Sequence, residues 1–344
     1  MNRTRPLIEL TLSRFREFVR EPEAVFWVFA FPVIMTVALG IAFRSRGAEP
    51  VIAGVVEQAG ADQIVEALEQ HGGFTVRRIA PADADRAVRD GRAPVIVVPG
   101  SPPKYRFDEA RAESQVARLA VDAALQRAAG RADAFTPVQE PMQTVGSRYI
   151  DWLVPGLLGM NIMGTGMWGV GFSIVQARSK KLLKRLIATP MKKSHYLLSL
   201  VLSRLATLTL EVVIIVGFAW LAFDVAVQGP VWALAALALL GALSFGGLGL
   251  FVASRARTIE AVSGLMNLVM LPMWVLSGVF FAATNFPEVM QPLIHILPLT
   301  ALNDAMRAVV NEGRSLDSLL PQIAILAAWG SISFVVSLKL FRWQ

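Results

Sequence analysis

The chain has no cysteine and only three histidines, His71, His195 and His295, scattered along 344 residues. That excludes a disulfide framework, a thiolate metal site and a cysteine nucleophile, and it argues against a histidine-based metal centre. Charge is sparse: Asp, Glu, Lys and Arg together make 17% of the residues. No GxxxxGK[ST] phosphate loop occurs, so the chain lacks the cradle of backbone N–H groups and lysine that holds a nucleotide. HExxH, GxSxG and paired His/Asp are missing as well. The sequence therefore offers no catalytic residue and no metal ligand set.

What it has instead is apolar length. Hydrophobic residues reach 54% and mean hydropathy is +0.52, well above a soluble globular chain. The net charge of +7 does not point to nucleic acid, because Lys and Arg cluster in short loops beside apolar runs. A membrane-crossing helix needs about 20 mostly apolar residues. Six runs qualify: 24–43, 152–175, 198–223, 231–253, 259–282 and 319–341. The first is too long for a signal peptide and lacks a small-x-small cleavage site, so it reads as a retained helix.

Short flanking loops set the orientation. Arg3, Arg5, Arg14, Arg16 and Arg20 precede the first run, seven Lys/Arg fill 178–193, Arg255 and Arg257 follow the fourth run, and Lys339 and Arg342 end the chain. The opposite short segments hold only Arg307 and Arg314. This asymmetry predicts that both termini are cytoplasmic. Trp152, Trp220 and Trp232 fit as anchors near outer ends, and Trp343 near an inner one.

Residues 44–148 carry 14 basic and 14 acidic side chains and no long apolar run. Runs at 51–56, 74–79, 94–98 and 105–108 read as strands, and 62–71, 82–90 and 113–131 as helices. The alternation predicts a folded α/β layer outside the membrane. The fold class is thus an all-α polytopic membrane protein with six transmembrane helices and an inserted extracytoplasmic α/β domain. Within residues 1–23, Ile8, Leu12, Phe15 and Val19 recur at helical spacing, which predicts an amphipathic helix lying on the cytoplasmic leaflet and touching its lipids.

Four short pieces in order carry a family resemblance: YIDWLVPGLLGMNIM at 149–163, LKRLIATP at 183–190, LSGVFF at 276–281, and PLTALNDAMR at 298–307 followed by Gly313. With the placement of runs and insert, the chain resembles the ABC-2 type permeases, the membrane subunits of bacterial ATP-driven exporters. The resemblance covers nearly the whole chain, with residues 149–344 as the ABC-2 type membrane domain. It implies a multi-pass protein of the bacterial cytoplasmic membrane and a cytoplasmic ATPase dimer that carries ATP and Mg, with no cofactor in this chain. A second permease copy or paralogue and a periplasmic adaptor complete the expected partners, and nucleic acid is not among them. The basic segment between the second and third runs, 176–197, becomes the coupling loop, with Arg178, Leu182, Leu183, Lys184, Arg185, Leu186, Thr189 and Pro190 docking on that ATPase. Gln176, Ala177, Arg178 and Ser179 stand where family members usually carry acids.

Polar residues inside the runs complete the picture. Glu211 sits near mid-bilayer and Arg204 lies seven residues earlier on the same face, so both must face the bundle interior, a partner or water. With Asn161 and Asn267, they are candidates for the translocation path or a subunit interface; a structural pair and interhelical amide bonds are the alternatives. Glycines pave the second run (156, 159, 164, 166, 169, 171) and the fourth (241, 246, 247, 249), which permits close helix approach. Segment 285–310 is too apolar for a free loop and is broken by Pro287, Pro292 and Pro298, which predicts a re-entrant helical pair. Asn303, Asp304 and Arg307 would form an outer gate there, the last two pairing three residues apart. A rival reading is a membrane-anchored ligand sensor or scaffold built on the α/β insert.

Overall fold

A computed structural model of the chain describes residues 5–43, 50–133, 135, 138, 140, 146–179, 193–254, 256 and 258–340. In chain order the first elements are α1 (Arg5–Arg20), α2 (Pro22–Ala42), β1 (Val51–Val56), α3 (Ala61–His71), β2 (Phe74–Ile79), α4 (Ala84–Arg89), β3 (Val95–Val98), β4 (Lys104–Phe107) and α5 (Ala112–Ala128). Then come α6 (Tyr149–Ser179), α7 (Lys193–Phe223), α8 (Val231–Ala253), α9 (Ile259–Leu276), α10 (Gln291–His295), α11 (Pro298–Glu312) and α12 (Leu320–Leu340). They fall into two compact units, one of residues 46–142 and one of residues 1–45 with 143–344.

The smaller unit is a four-stranded sheet in the order β2-β1-β3-β4, with β1 parallel to both β2 and β3, and β4 antiparallel to β3. Its central strands are short β-branched runs buried on both faces, as parallel pairing with helical crossovers requires. Ala53, Val55, Val95 and Val97 pack on α3 and α5, whereas Val56 and Ile96 pack on α4 through Ala84 and Ala87. Each strand and helix lies within a few residues of the span its alternation predicts.

Tyr105 of β4 donates to Asp122 Oδ1 of α5 at 3.1 Å. Burial first, and this hydrogen bond second, push its phenol up to about 12. A raised folded-state value stabilises fully below the ordinary phenol pKa of about 10 and is lost as pH rises toward 12. The full-length protein is therefore expected to lose stability in chemical unfolding between those pH values, and Tyr105→Phe to flatten that loss. A Tyr105 phenol that titrates near its ordinary value would contradict this.

Among the described residues of the larger unit, six helices are long and apolar enough to cross a membrane: Pro22–Ala42, Tyr149–Gln176, Leu202–Phe223, Val231–Ala253, Ile259–Leu276 and Leu316–Leu340. Two of them are central. About half of the apolar stretch of α6 (56%) and of α8 (50%) is buried, against 17–28% for the other four. The backbones of α6 and α8 nearly touch: a Cβ added at Gly171 would lie 2.8 Å from Gly249 O, and one at Gly249 would lie 2.6 Å from Met167 O. Gly169, by contrast, has nothing within 4 Å, so the glycine rows are tight only in part. The peripheral helices expose side chains such as Val213, Leu221, Ile332 and Leu338, a surface suited to hydrocarbon and costly in water.

Two boundaries differ from the sequence expectation, and the broken pair at 285–310 agrees with it. The fifth span ends at Leu276, not at 282, because Ser277 closes the helix and Gly278 takes φ +68°. Residues 176–179 and 193–197, expected in a loop, are helical ends of α6 and α7. Segment 285–310 is a broken pair in which the helices Glu288–His295 and Pro298–Glu312 are bent by 83°. Its prolines begin elements: Pro292 and Pro298 occupy first-turn positions of α10 and α11, where a missing N–H costs nothing. Gly313, at φ +69°, ends α11.

The α1 helix packs beside α7, where Ile8, Thr11 and Leu12 meet Leu202 in a shallow groove. Ile8, Leu12 and Val19 remain exposed, so the helix keeps an apolar stripe uncovered by protein.

Candidate functional site

Prolines and polar side chains inside the spans set the geometry. Pro32 in α2 has no N–H, so the carbonyl of Val28, four residues earlier, loses its helical donor. A π-helical turn, Phe26–Ala30, sits at the same point. Asn161 of α6 supplies the missing donor, with Nδ2 3.0 Å from Val28 O. The residue read as path-lining or interfacial thus bridges the first and second spans inside one subunit.

Arg204, Glu211 and Thr165 form a closed polar centre between α6 and α7. Arg204 Nη1 donates to Glu211 Oε1 at 2.9 Å, and Nη2 donates to the Thr165 hydroxyl at 2.6 Å. That hydroxyl lies 3.1 Å from Glu211 Oε2 and 2.8 Å from Asn161 O, either of which accepts its single proton. The Glu211 side chain is fully buried, while Arg204 keeps 21% exposure. An uncompensated carboxylate in hydrocarbon is expensive, and here Arg204 compensates it through Glu211 Oε1. Thr165 was not singled out in the sequence; a threonine on a glycine-rich helix carries no distinguishing signal.

A second polar group gathers where α6 begins and α9 and α7 end. Arg307 of α11 donates through Nε to Trp152 O at 3.2 Å and through Nη2 to Gly278 O, and its guanidinium stacks 3.4 Å above the Trp152 ring. Trp152, read as an interface anchor, serves as the shelf for this arginine. Asn303 Nδ2 donates to Ser277 O at 2.9 Å, and Tyr149 donates to Phe280 O at 3.1 Å. Three side chains from α6 and α11 thereby satisfy carbonyls that the end of α9 leaves open. Gly159, on α6, gives Asn303 Oδ1 room against its bare Cα.

The Asp304–Arg307 pair is present but loose, at 3.6 Å, with the Asp304 side chain 42% exposed and that of Arg307 6%. Arg307 is thus mainly a carbonyl clamp. Arg148 repeats the device. It grips both oxygens of Asp151 (Nε–Oδ2 3.0 Å, Nη2–Oδ1 2.8 Å) and reaches Phe223 O at 3.0 Å and Asp224 O at 3.2 Å, the end of α7. Hydrogen bonding to Asp151 holds its guanidinium pKa above the ordinary value. A cation against helix C-terminal carbonyls also meets the negative end of the macrodipole.

The remaining candidates separate. Asn267 stands exposed on α9, remote in sequence and hydrogen bonding from the two polar groups. Arg178 falls in the last turn of α6, and Leu182, Leu183, Lys184, Arg185, Leu186, Thr189 and Pro190 lie outside the described residues. Among the described residues, no cluster of His, Cys, Asp or Glu could hold a metal ion.

Comparison with known proteins gives the context. The inner membrane transport permease YhhJ of Escherichia coli is 28% identical over 95 residues, 28% of this chain and 25% of that protein. The inner membrane transport permease YadH of the same organism is 28% identical over 163 residues, 47% of this chain and 63% of that protein. The linearmycin resistance permease protein LnrN of Bacillus subtilis is 25% identical over 186 residues, 51% of this chain and 46% of that protein. The chain thus spans between a quarter and just under two thirds of these relatives. The family described as ABC-2 family transporter protein matches residues 23–339. With a match of that extent over six apolar helices, the chain belongs to the ABC-2 family of transporter proteins.

Proposed function

We propose that the chain is the permease subunit of an ATP-driven exporter in the bacterial inner membrane, with both termini cytoplasmic and the α/β unit outside. The observation that carries this reading is the family match from residue 23 to residue 339, which takes in all six apolar helices. Fuel comes from a separate cytoplasmic ATPase dimer that binds ATP and Mg, since the sequence holds no phosphate loop. Two permease copies enclose the path, and a periplasmic adaptor is compatible with an outer α/β unit.

The basic segment 178–193 docks on the ATPase through Leu182, Leu183, Leu186 and Ile187, together with Arg178, Lys184, Arg185, Thr189 and Pro190. Arg307 and Asn303, with Asp304 at their edge, hold the outer ends of the helices and so set how that mouth opens. Apolar spans with few charges favour an amphipathic or lipidic substrate, and the family resemblance favours outward movement.

The test is ATP-dependent extrusion from vesicles holding the chain and the ATPase that co-purifies with it. Leu183→Asp with Leu186→Asp is expected to leave insertion intact and abolish the coupling of hydrolysis to transport, because two carboxylates would enter an apolar docking cleft. Unchanged transport in that double variant overturns the docking assignment. ATP hydrolysis by the purified chain alone overturns the division of labour.

A further inference from the structure

Five buried side-chain atoms without a hydrogen-bond partner among the described residues gather on one face of α11 and the turn beside it. They are Thr300 Oγ1, Asn303 Oδ1 and Arg307 Nη1 on α11, Ser277 Oγ at the close of α9, and Trp152 Nε1 on α6. Thr300, Asn303 and Arg307 are spaced three and four residues apart, which puts them on one side of the helix over about 10 Å. Contacts tie the other two to that side. Asn303 Nδ2 donates to Ser277 O at 2.9 Å, and the Arg307 guanidinium stacks 3.4 Å above the Trp152 ring. Thr300, Ser277 and Asn303 are no more than 1% exposed. A buried polar group left unpaired is costly, and native interiors hold few of them.

The chemistry of the five atoms decides what fits them. Arg307 Nη1 and Trp152 Nε1 only donate, whereas the two hydroxyls donate or accept. Asn303 Oδ1 only accepts, since the amide nitrogen is held on Ser277 O. An anion would serve the donors alone, and a cation, set beside a guanidinium, the acceptor alone. Water serves both. It also has room at one end. Leaving aside its chain neighbours, a Cβ added at Gly278 would meet nothing nearer than 3.4 Å. Its nearest atoms would be Arg307 Nη1, Phe281 O and Trp152 Cζ2, so this methyl-sized notch has a donor and an acceptor on its walls. Asp304, 3.6 Å from Arg307 Nη1 and 42% exposed, marks the end that opens to solvent.

We propose that water enters at the Gly278 notch and binds along this face of α11 as far as Thr300. Leu302, two residues from Thr300, packs on Gly241, ten residues and about 15 Å into α8. The wetted seam therefore runs from the outer mouth of the subunit to about mid-membrane, and the re-entrant backbone is bordered by water there. Which side is outer rests on the permease reading.

The chain's lack of cysteine makes the test clean. Silver ion reacts with a thiolate, and a thiol ionises more readily beside water than in apolar packing. Full-length Thr300→Cys in right-side-out membrane vesicles is expected to react with external silver ion roughly tenfold faster than Leu302→Cys. Thiols left for a fluorescent maleimide after unfolding read both rates. Both positions are buried, but Leu302 faces α8. Equal rates overturn the proposal. Ser277→Cys, a one-atom change on the facing wall, is expected to match Thr300→Cys and replaces it if that variant fails to insert. Gly278→Ala, which sets a methyl group in the notch, is expected to slow both; unchanged rates overturn entry at that point. Fast reaction from the cytoplasmic side alone keeps the wetted seam and overturns the outer placement of α11. Fast external reaction in a chain that transports nothing with its ATPase sinks the permease reading and leaves the seam.

Discussion

Replacing Arg307 with methionine is expected to destabilise the detergent-solubilised protein by about 3 kcal/mol or more, whereas Asp304→Ala is expected to cost less than about 1 kcal/mol. The difference follows from what Arg307 touches. Its side chain is 6% exposed and donates to Trp152 O and Gly278 O, and hydrogen bonds to a charged group are worth about 1.5–3 kcal/mol each. Stacking on Trp152 in a desolvated site adds about 2 kcal/mol. These contributions overlap and do not sum, but the variant would also strip Gly278 O of its arginine donor. Asp304 sits 3.6 Å away and 42% exposed, and ion pairs of that kind are worth at most about 1 kcal/mol.

Arg307→Lys separates the two views further. A lysine keeps the charge near Asp304 but cannot reach both carbonyls or stack as a plane, so it is expected to lie close to methionine. Chemical unfolding followed by tryptophan fluorescence reads all three variants. If Asp304→Ala proves as damaging as Arg307→Met, the residue is half of an ion pair and the carbonyl clamp is wrong.

The sequence paired Arg307 with Asp304 because both are side chains three residues apart, and backbone carbonyls leave no trace in a sequence. Arg148 escaped notice for a related reason. It belongs to a charged insert set aside from the orientation count, yet its guanidinium reaches the end of α7 some 75 residues later. The spans were legible because about 20 apolar residues leave few alternatives. The end of the fifth was not, since 277–282 stays apolar while Gly278 turns at φ +68°. Strand and helix alternation in the insert was legible from periodicity, but the order β2-β1-β3-β4 depends on contacts between distant residues. The prolines were read as breakers. In the structure a missing N–H matters more, because Pro32 releases Val28 O to Asn161.

Arg204 and Glu211 were placed on one face by their seven-residue spacing, and their energetics give the second large expectation. Arg204→Met is expected to cost about 3 kcal/mol, because removing one partner of a buried pair leaves the other charge uncompensated. Glu211, fully buried, would keep only the Thr165 hydroxyl. Glu211→Gln preserves acceptor and donor capacity and is expected to be milder than Arg204→Met. The decisive variant is Arg204→Met with Glu211→Leu. Replacing a whole buried pair by apolar groups of similar volume is often neutral or stabilising, so this double change is expected to recover most of the loss in chemical unfolding. Transport then discriminates between structure and path: a pair that only holds α6 to α7 lets the double variant transport at near wild-type rate. A stable double variant that no longer transports would instead place the polar centre on the route of the substrate, since packing alone would have been restored.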